Sequence, residues 1–217
     1  MNVRLVIANK NYSSWSLRSW LLLREAAIPF EEIRLPLDTE EFTRRIAEYS
    51  PARRVPVLLL DDESVWDSLA IAEAVAEAWP DRQLWPSDPA ARRHARSIAA
   101  EMHAGFEELR GRMPMNCRAM GRKVQMTHGL QRDIERILDI WTDCQSRYGD
   151  RGEWLFGQFS VADAMYAPVV LRFRTYGVEI PAAANHYPLR LMQSEAMQNW
   201  ILAAESETEV VESDEAG

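Results

Sequence analysis

Three short runs carry residue types that could do chemistry. Ser13-Ser14-Trp15-Ser16 follows the apolar run Leu5-Val6-Ile7-Ala8 and opens a stretch of helical periodicity. Hydroxyls between a strand end and a helix N-terminus sit beside unpaired amides and the positive end of the helix dipole, a setting that favours an anion. Taken alone, the same serines also fit plain helix caps. Asp67-Ser68 places a carboxylate and a hydroxyl at a second helix start, suited either to an amino-acid-like group or to capping. Val55-Pro56 enters a short apolar strand, where the proline is a cis turn or an ordinary trans residue on a strand edge. Cys117 and Cys144 lie 27 residues apart with no CxxC, and His94, His103, His128 and His186 are dispersed, so no metal site is expected. Two free thiols suit a reducing compartment.

The elements around these runs alternate and then change character. A strand at Leu5–Ala8, a helix from about Ser16 to Ile28-Pro29, a half-buried strand at Phe30–Leu35 and a charged helix over 39–48 come first. Then follow a strand at 54–60, a turn at Asp61–Ser64, a brief strand at Val65-Trp66 and a helix opened by Asp67-Ser68. This order, βαβ then ββα, predicts a thioredoxin-like α/β domain over 1–79. Three prolines in residues 80–89 mark a linker. An all-α region over 90–205 follows. One long helix is predicted to carry Ala95, Ile98, Ala99, Met102, Phe106, Leu109 and Met113 on one face until Pro114 ends it, and a second carries Leu130 to Tyr148. A third begins at Ser160-Val161-Ala162-Asp163, where serine and aspartate fit a capping-box variant.

The formal net charge of −8 is concentrated at one end. Residues 205–217 hold six acidic and no basic side chains, leaving 27 acidic against 25 basic elsewhere. Residues 206–217 therefore read as a flexible, solvated acidic tail. Neither part has the basic excess of a nucleic-acid binder, and no apolar run reaches the ~20 residues of a membrane-spanning helix. Only four or five apolar residues follow Met1-Asn2-Val3-Arg4, too few for a signal peptide, so a cytoplasmic chain is expected.

A thioredoxin-like domain joined by a proline-rich linker to a helical domain resembles the cytosolic glutathione transferases. The resemblance rests on Ser13-Ser14-Trp15-Ser16, Val55-Pro56, Asp67-Ser68 and Ser160-Val161-Ala162-Asp163, in that order over about 150 residues. It implies glutathione as co-substrate with no metal, and Ser13 or Ser14 donating to the thiolate. Val55 would bind the cysteinyl backbone beside cis Pro56. Ser68 would take the γ-glutamyl carboxylate, and Asp67 its ammonium. Ser160 and Asp163 would be a folding device. A hydroxyl donating to sulfur favours thiolate over thiol, and thiols near pKa ~8.5 fall by one to several units in such settings.

The serine motif is most similar to the zeta-like and related bacterial branch, with Ser13 the better fit and Tyr12 a competing hydroxyl. Trp15 stands where zeta-like and beta-like members carry cysteine. That departure speaks against cysteine-dependent chemistry and against simple transfer of maleylacetoacetate isomerase activity. The resemblance implies a small hydrophobic electrophile as acceptor, in a pocket lined by Trp15, Arg112, Met113, Met115, Asn116, Cys117 and Arg118, residues that equally suit a core. Arg172, Phe173 and Arg174 would add charge there or lie on a solvated face. It further implies a homodimer, with Glu101 turned toward the partner or simply solvated. An isomerase of maleylacetoacetate type and a non-catalytic binding or regulatory protein are the alternatives.

Overall fold

The computed structural model describes residues 1–217. Strand β1 (Val3–Ile7), helix α1 (Ser14–Glu25), β2 (Glu31–Arg34), α2 (Glu40–Tyr49), β3 (Val57–Leu60), β4 (Glu63–Trp66) and α3 (Ser68–Ala78) form the first unit. Its sheet has the order β2-β1-β3-β4, with β1 and β2 parallel and the other two pairs antiparallel. This is a thioredoxin-like mixed sheet. Every residue of β1 except Arg4 is buried, because helices cover both faces of the strand. On one face α2 closes a small core of Val6, Leu35, Ile46, Val57 and Leu59. On the other, α1 and α3 join the sheet to the main core, which continues into the helical unit.

That second unit comprises α4 (Pro89–Ala104), α5 (Glu107–Arg112), α6 (His128–Tyr148), α7 (Val161–Tyr176), α8 (His186–Gln193) and α9 (Glu195–Glu205). Helix α7 is buried on all sides, Arg174 alone reaching partial exposure, as expected of a helix surrounded by others. Its N-terminus is fixed by Asp163. That carboxylate accepts from the Ser160 N–H and hydroxyl (both 2.8 Å) and from the Leu155 N–H (2.9 Å). Ser160 and Asp163 thus form the expected capping box, with the Asp163 amide facing the serine and the carboxylate reaching back to the Ser160 N–H. Burial pushes the Asp163 carboxyl up to about 7, against the pull of those three hydrogen bonds.

Two expectations are corrected. The helix expected through Met113 breaks at Gly105 and Phe106, the latter at φ +62°. The Arg110 guanidinium donates to the orphan carbonyls of Met102 and His103 (3.0 Å to the latter), closing α4 before α5 packs against α6. The acidic tail is also no loose end. It buries Val211, forms a short 3-10 turn at Glu212–Asp214, and is held by Arg34, Arg118 and Arg122. Counting its own charges misses these basic partners, which lie far away in sequence.

Candidate functional site

The first turn of α1 separates the two serines by what their hydroxyls do. Ser13 is the N-cap: its Oγ accepts from the Ser16 N–H (3.4 Å) and donates to Ser16 Oγ (2.7 Å), which also accepts from the Ala8 N–H (3.1 Å). That hydroxyl is committed to holding strand to helix. Ser14 Oγ instead accepts from Arg172 Nη2 at 3.1 Å, leaving its own proton free to donate outward. The Trp15 N–H, in the same turn, has no acceptor in the chain. Tyr12 is occupied elsewhere, donating to Glu215 (2.6 Å) and accepting from Arg118 (2.8 Å). Burial and Glu215 raise its phenol further above the ordinary range, so it stays a neutral donor.

A cavity of about 430 Å³ opens at this turn between the two units, lined by Ser13, Ser14, Trp15, Val55, Arg53, Arg54, Arg110, Met115, Arg172 and Asp214, among others. A second, of about 230 Å³, adjoins it across Trp15 and is lined by Val55, Pro56, Trp66, Asp67 and Ser68. Val55-Pro56 is cis. Asp67 caps α3 at φ +74°, a conformation that costs a non-glycine residue about 1–3 kcal/mol and recurs at ligand sites. Its carboxylate accepts from the Leu69 N–H (2.9 Å) and meets His103 Nε2 (2.8 and 2.9 Å). The Ser68 hydroxyl is buried with no partner. An orphan hydroxyl beside a cavity is what a ligand carboxylate would satisfy. A larger surface groove of about 770 Å³ near Lys10, Arg24 and Arg190 contains none of these groups.

Cations dominate the surroundings of Trp15. The Arg18 and Arg110 guanidiniums lie 4.3 and 5.0 Å from the Trp15 ring centre, and His103 meets its edge at 5.5 Å. Burial first, then repulsion from Arg110 and Arg172, brings Arg18 down to about 9, and Arg172 falls to about 10 for the same kind of reason. Both remain cations at neutral pH. The Nε and Nη1 of Arg18 are buried without partners.

Of the pocket residues expected from sequence, Trp15 and Met115 line this cavity. The others do not. Met113 is core, Cys117 is buried against the Lys10 carbonyl, and Asn116 bonds Asn11 and Glu215. Arg112 is on the outside, paired with Glu108 at 2.6 Å, and Arg118 braces Tyr12. Arg172 is buried in the site, Phe173 is core, and Glu101 pairs with Arg136 at 2.7 Å on the surface. Sequence reasoning missed His103, Arg110, Arg18 and Asp214. Only Gly105 hinted at Arg110, through the helix break.

The family model for the glutathione S-transferase N-terminal domain matches residues 12–78, and that for the C-terminal domain matches residues 70–203. The chain belongs to the glutathione S-transferase family. It is a glutathione-dependent enzyme, with glutathione as co-substrate. It is 35% identical over 96 residues to a probable maleylacetoacetate isomerase of Caenorhabditis elegans, a match spanning 44% of each chain. It is 26% identical over 196 residues to maleylacetoacetate isomerase of Rattus norvegicus, 85% of each. These relatives agree with the zeta-like character of the serine motif. Its fold matches a Burkholderia glutathione transferase homologue with bound glutathione (TM-score 0.72, 21% identity, 95% of this chain and 100% of that one). It matches equally a bacterial zeta-class maleyl pyruvate isomerase (TM-score 0.72, 20% identity, 95% and 100%). No helix is long and apolar enough to cross a membrane.

Proposed function

We propose that this transferase ionises glutathione at the first turn of α1 and adds the thiolate to a small electrophile bearing a carboxylate. In this reading the tripeptide lies across Trp15, with Val55 along its cysteinyl backbone. Ser68 takes the γ-glutamyl carboxylate, and Asp67, steadied by His103, takes its ammonium. The sulfur meets the Ser14 hydroxyl and the Trp15 amide at the positive end of α1, so that thiolate is favoured without a protein base. Arg172 polarises the Ser14 hydroxyl from behind. Holding both reactants in one cleft supplies the remaining advantage.

The observation that carries the acceptor's charge is the wall of the cavity. Arg53, Arg54, Arg110 and Arg172 line it, against the single carboxylate of Asp214. A purely hydrophobic electrophile, the expectation from sequence, would leave the buried Arg172 and the half-buried Arg110 without an incoming counter-charge. A carboxylate would satisfy them. For a cis-alkene acid, thiolate addition to the double bond, rotation, and expulsion of the same thiolate give the trans isomer with all atoms returned. The maleylacetoacetate isomerases among its relatives support this form of the reaction. Measuring kcat/KM for a cis-enone acid and for its neutral methyl ester tests the reading. The acid is expected to be preferred at least about ten-fold, the worth of one charge-assisted hydrogen bond, with the preference falling as salt rises. Equal rates, or preference for the ester, would restore the hydrophobic acceptor.

The expected homodimer belongs to the same reading. Trp66, 43% exposed on edge strand β4, is the kind of side chain a second copy would cover. Sedimentation equilibrium should give twice 25.0 kDa. A monomeric mass at micromolar concentration would contradict it.

A further inference from the structure

The acidic segment Glu207–Gly217 folds back along the start of α1. Glu207 accepts from the N–H groups of Lys10 and Asn11 (2.8 and 3.0 Å), and Arg34 pairs with Glu209 (2.6 Å). Arg118 donates to the carbonyls of both glutamates. Further on, Glu215 accepts from the Tyr12 hydroxyl (2.6 Å) and the Asn116 amide (2.9 Å) and pairs with Arg122. Val211 is its one buried apolar side chain. The segment is therefore held by charge-assisted hydrogen bonds, which salt and competing ions weaken, and little by apolar burial.

Between these anchors Asp214 joins the wall of the acceptor cavity, which Arg172 also lines. Its carboxylate makes no hydrogen bond and no ion pair; burial raises it above the ordinary carboxylate range, Arg172 pulls it down, and Asp38 and Glu215 push it up. It supplies the cavity's only negative charge, on a tether.

We propose that Glu207–Gly217 is a strap that holds Asp214 in the acceptor cavity as an exchangeable counter-ion for Arg172, displaced when the carboxylate of a substrate enters. This rests on the anionic-acceptor reading above. Tethering gives Asp214 a high effective concentration, so an incoming anion must compete with it. The apparent affinity for anions is thus reduced by the fraction of molecules in which the strap is seated.

Succinate, a simple dicarboxylate, serves as the probe, with binding measured by calorimetry on the glutathione-loaded protein. The variants are Asp214→Asn and Glu212→Gln, the latter an exposed acid of the same turn that does not line the acceptor cavity and controls for net charge. Asp214→Asn is expected to tighten succinate about five-fold or more, Glu212→Gln to leave it unchanged, and saturating succinate to speed hydrogen exchange over residues 208–216 of the wild type. Equal succinate affinity in wild type and Asp214→Asn would overturn the strap and leave the anionic-acceptor reading standing. No binding to either form would remove both. Should Asp214→Asn lose its fold, exchange on the wild type decides alone, and unchanged protection at saturating succinate would overturn the strap.

Discussion

Replacing Ser14 by alanine isolates the chemistry assigned to the first turn of α1. Ser14 Oγ already accepts from Arg172, so its proton is free to meet a sulfur, whereas that of Ser13 goes to Ser16 and Ser16 itself is fully buried. A hydrogen bond to a charged acceptor is worth about 1.5–3 kcal/mol. At 1.36 kcal/mol per pKa unit, its loss should raise the thiol pKa of bound glutathione by about 1–2 units. The assay is the pH profile of kcat at saturating glutathione, which reports the ionisation in the bound complex. At pH ~6.5 the variant should be about 10–100-fold slower. The deficit should close above pH ~9, where the thiol ionises unaided, and KM for glutathione should change less than about three-fold. Ser13→Ala should behave differently. It removes a cap worth about 1 kcal/mol and lowers Tm by about 2–4 °C, with the pH profile unmoved. A deficit equal at every pH in Ser14→Ala, or a shifted profile in Ser13→Ala, would refute the assignment.

Three further outcomes follow from the same structure. Arg110→Gln should raise KM for an anionic acceptor about 10–100-fold and change that for its neutral ester much less, because only the former uses the guanidinium. Asp163→Asn should destabilise the protein by about 2 kcal/mol at pH 7, since it turns an amide NH2 toward donors that now meet a carboxylate. Burial raises the folded Asp163 above its unfolded value, so the folded chain binds this proton first as pH falls. The stability of wild type relative to Asp163→Asn should therefore grow from pH ~7 toward ~4, and a difference that shrinks over that window would contradict the assignment. Burial pushes Cys117 up to about 12 and Cys144 higher still, so a thiol reagent should label neither in the folded protein and both after unfolding.

The sequence made the sheet and most helices legible because local chemistry and global fold agree there. Val55-Pro56, Asp67-Ser68 and the serines of α1 each sit where a strand hands over to a helix, and turn chemistry marks such junctions. Gly105 is the instructive miss. The apolar spacing of Phe106, Leu109 and Met113 survives the break, so periodicity runs straight through it and leaves Arg110 on an anonymous helix face. Arg172 was legible as a charge but not as a buried one, since its burial depends on α7 being surrounded by α1, α4 and α6. Asp214 lay in a run whose composition reads as solvated. Its place in the cavity follows from Arg34, Arg118 and Arg122, more than ninety residues away in sequence. Local pattern thus marked the residues proposed for glutathione, and long-range packing built the arginine-lined cavity beside them.

Glutathione bound as a thiolate is what every step proposed for this cleft requires. An ultraviolet difference titration of the wild-type protein with glutathione reads that species directly. Thiolate absorbance should saturate with binding at pH 7 and persist to at least about one unit below the ordinary thiol pKa of ~8.5. Binding without that absorbance until the pH passes ~8.5 would contradict it.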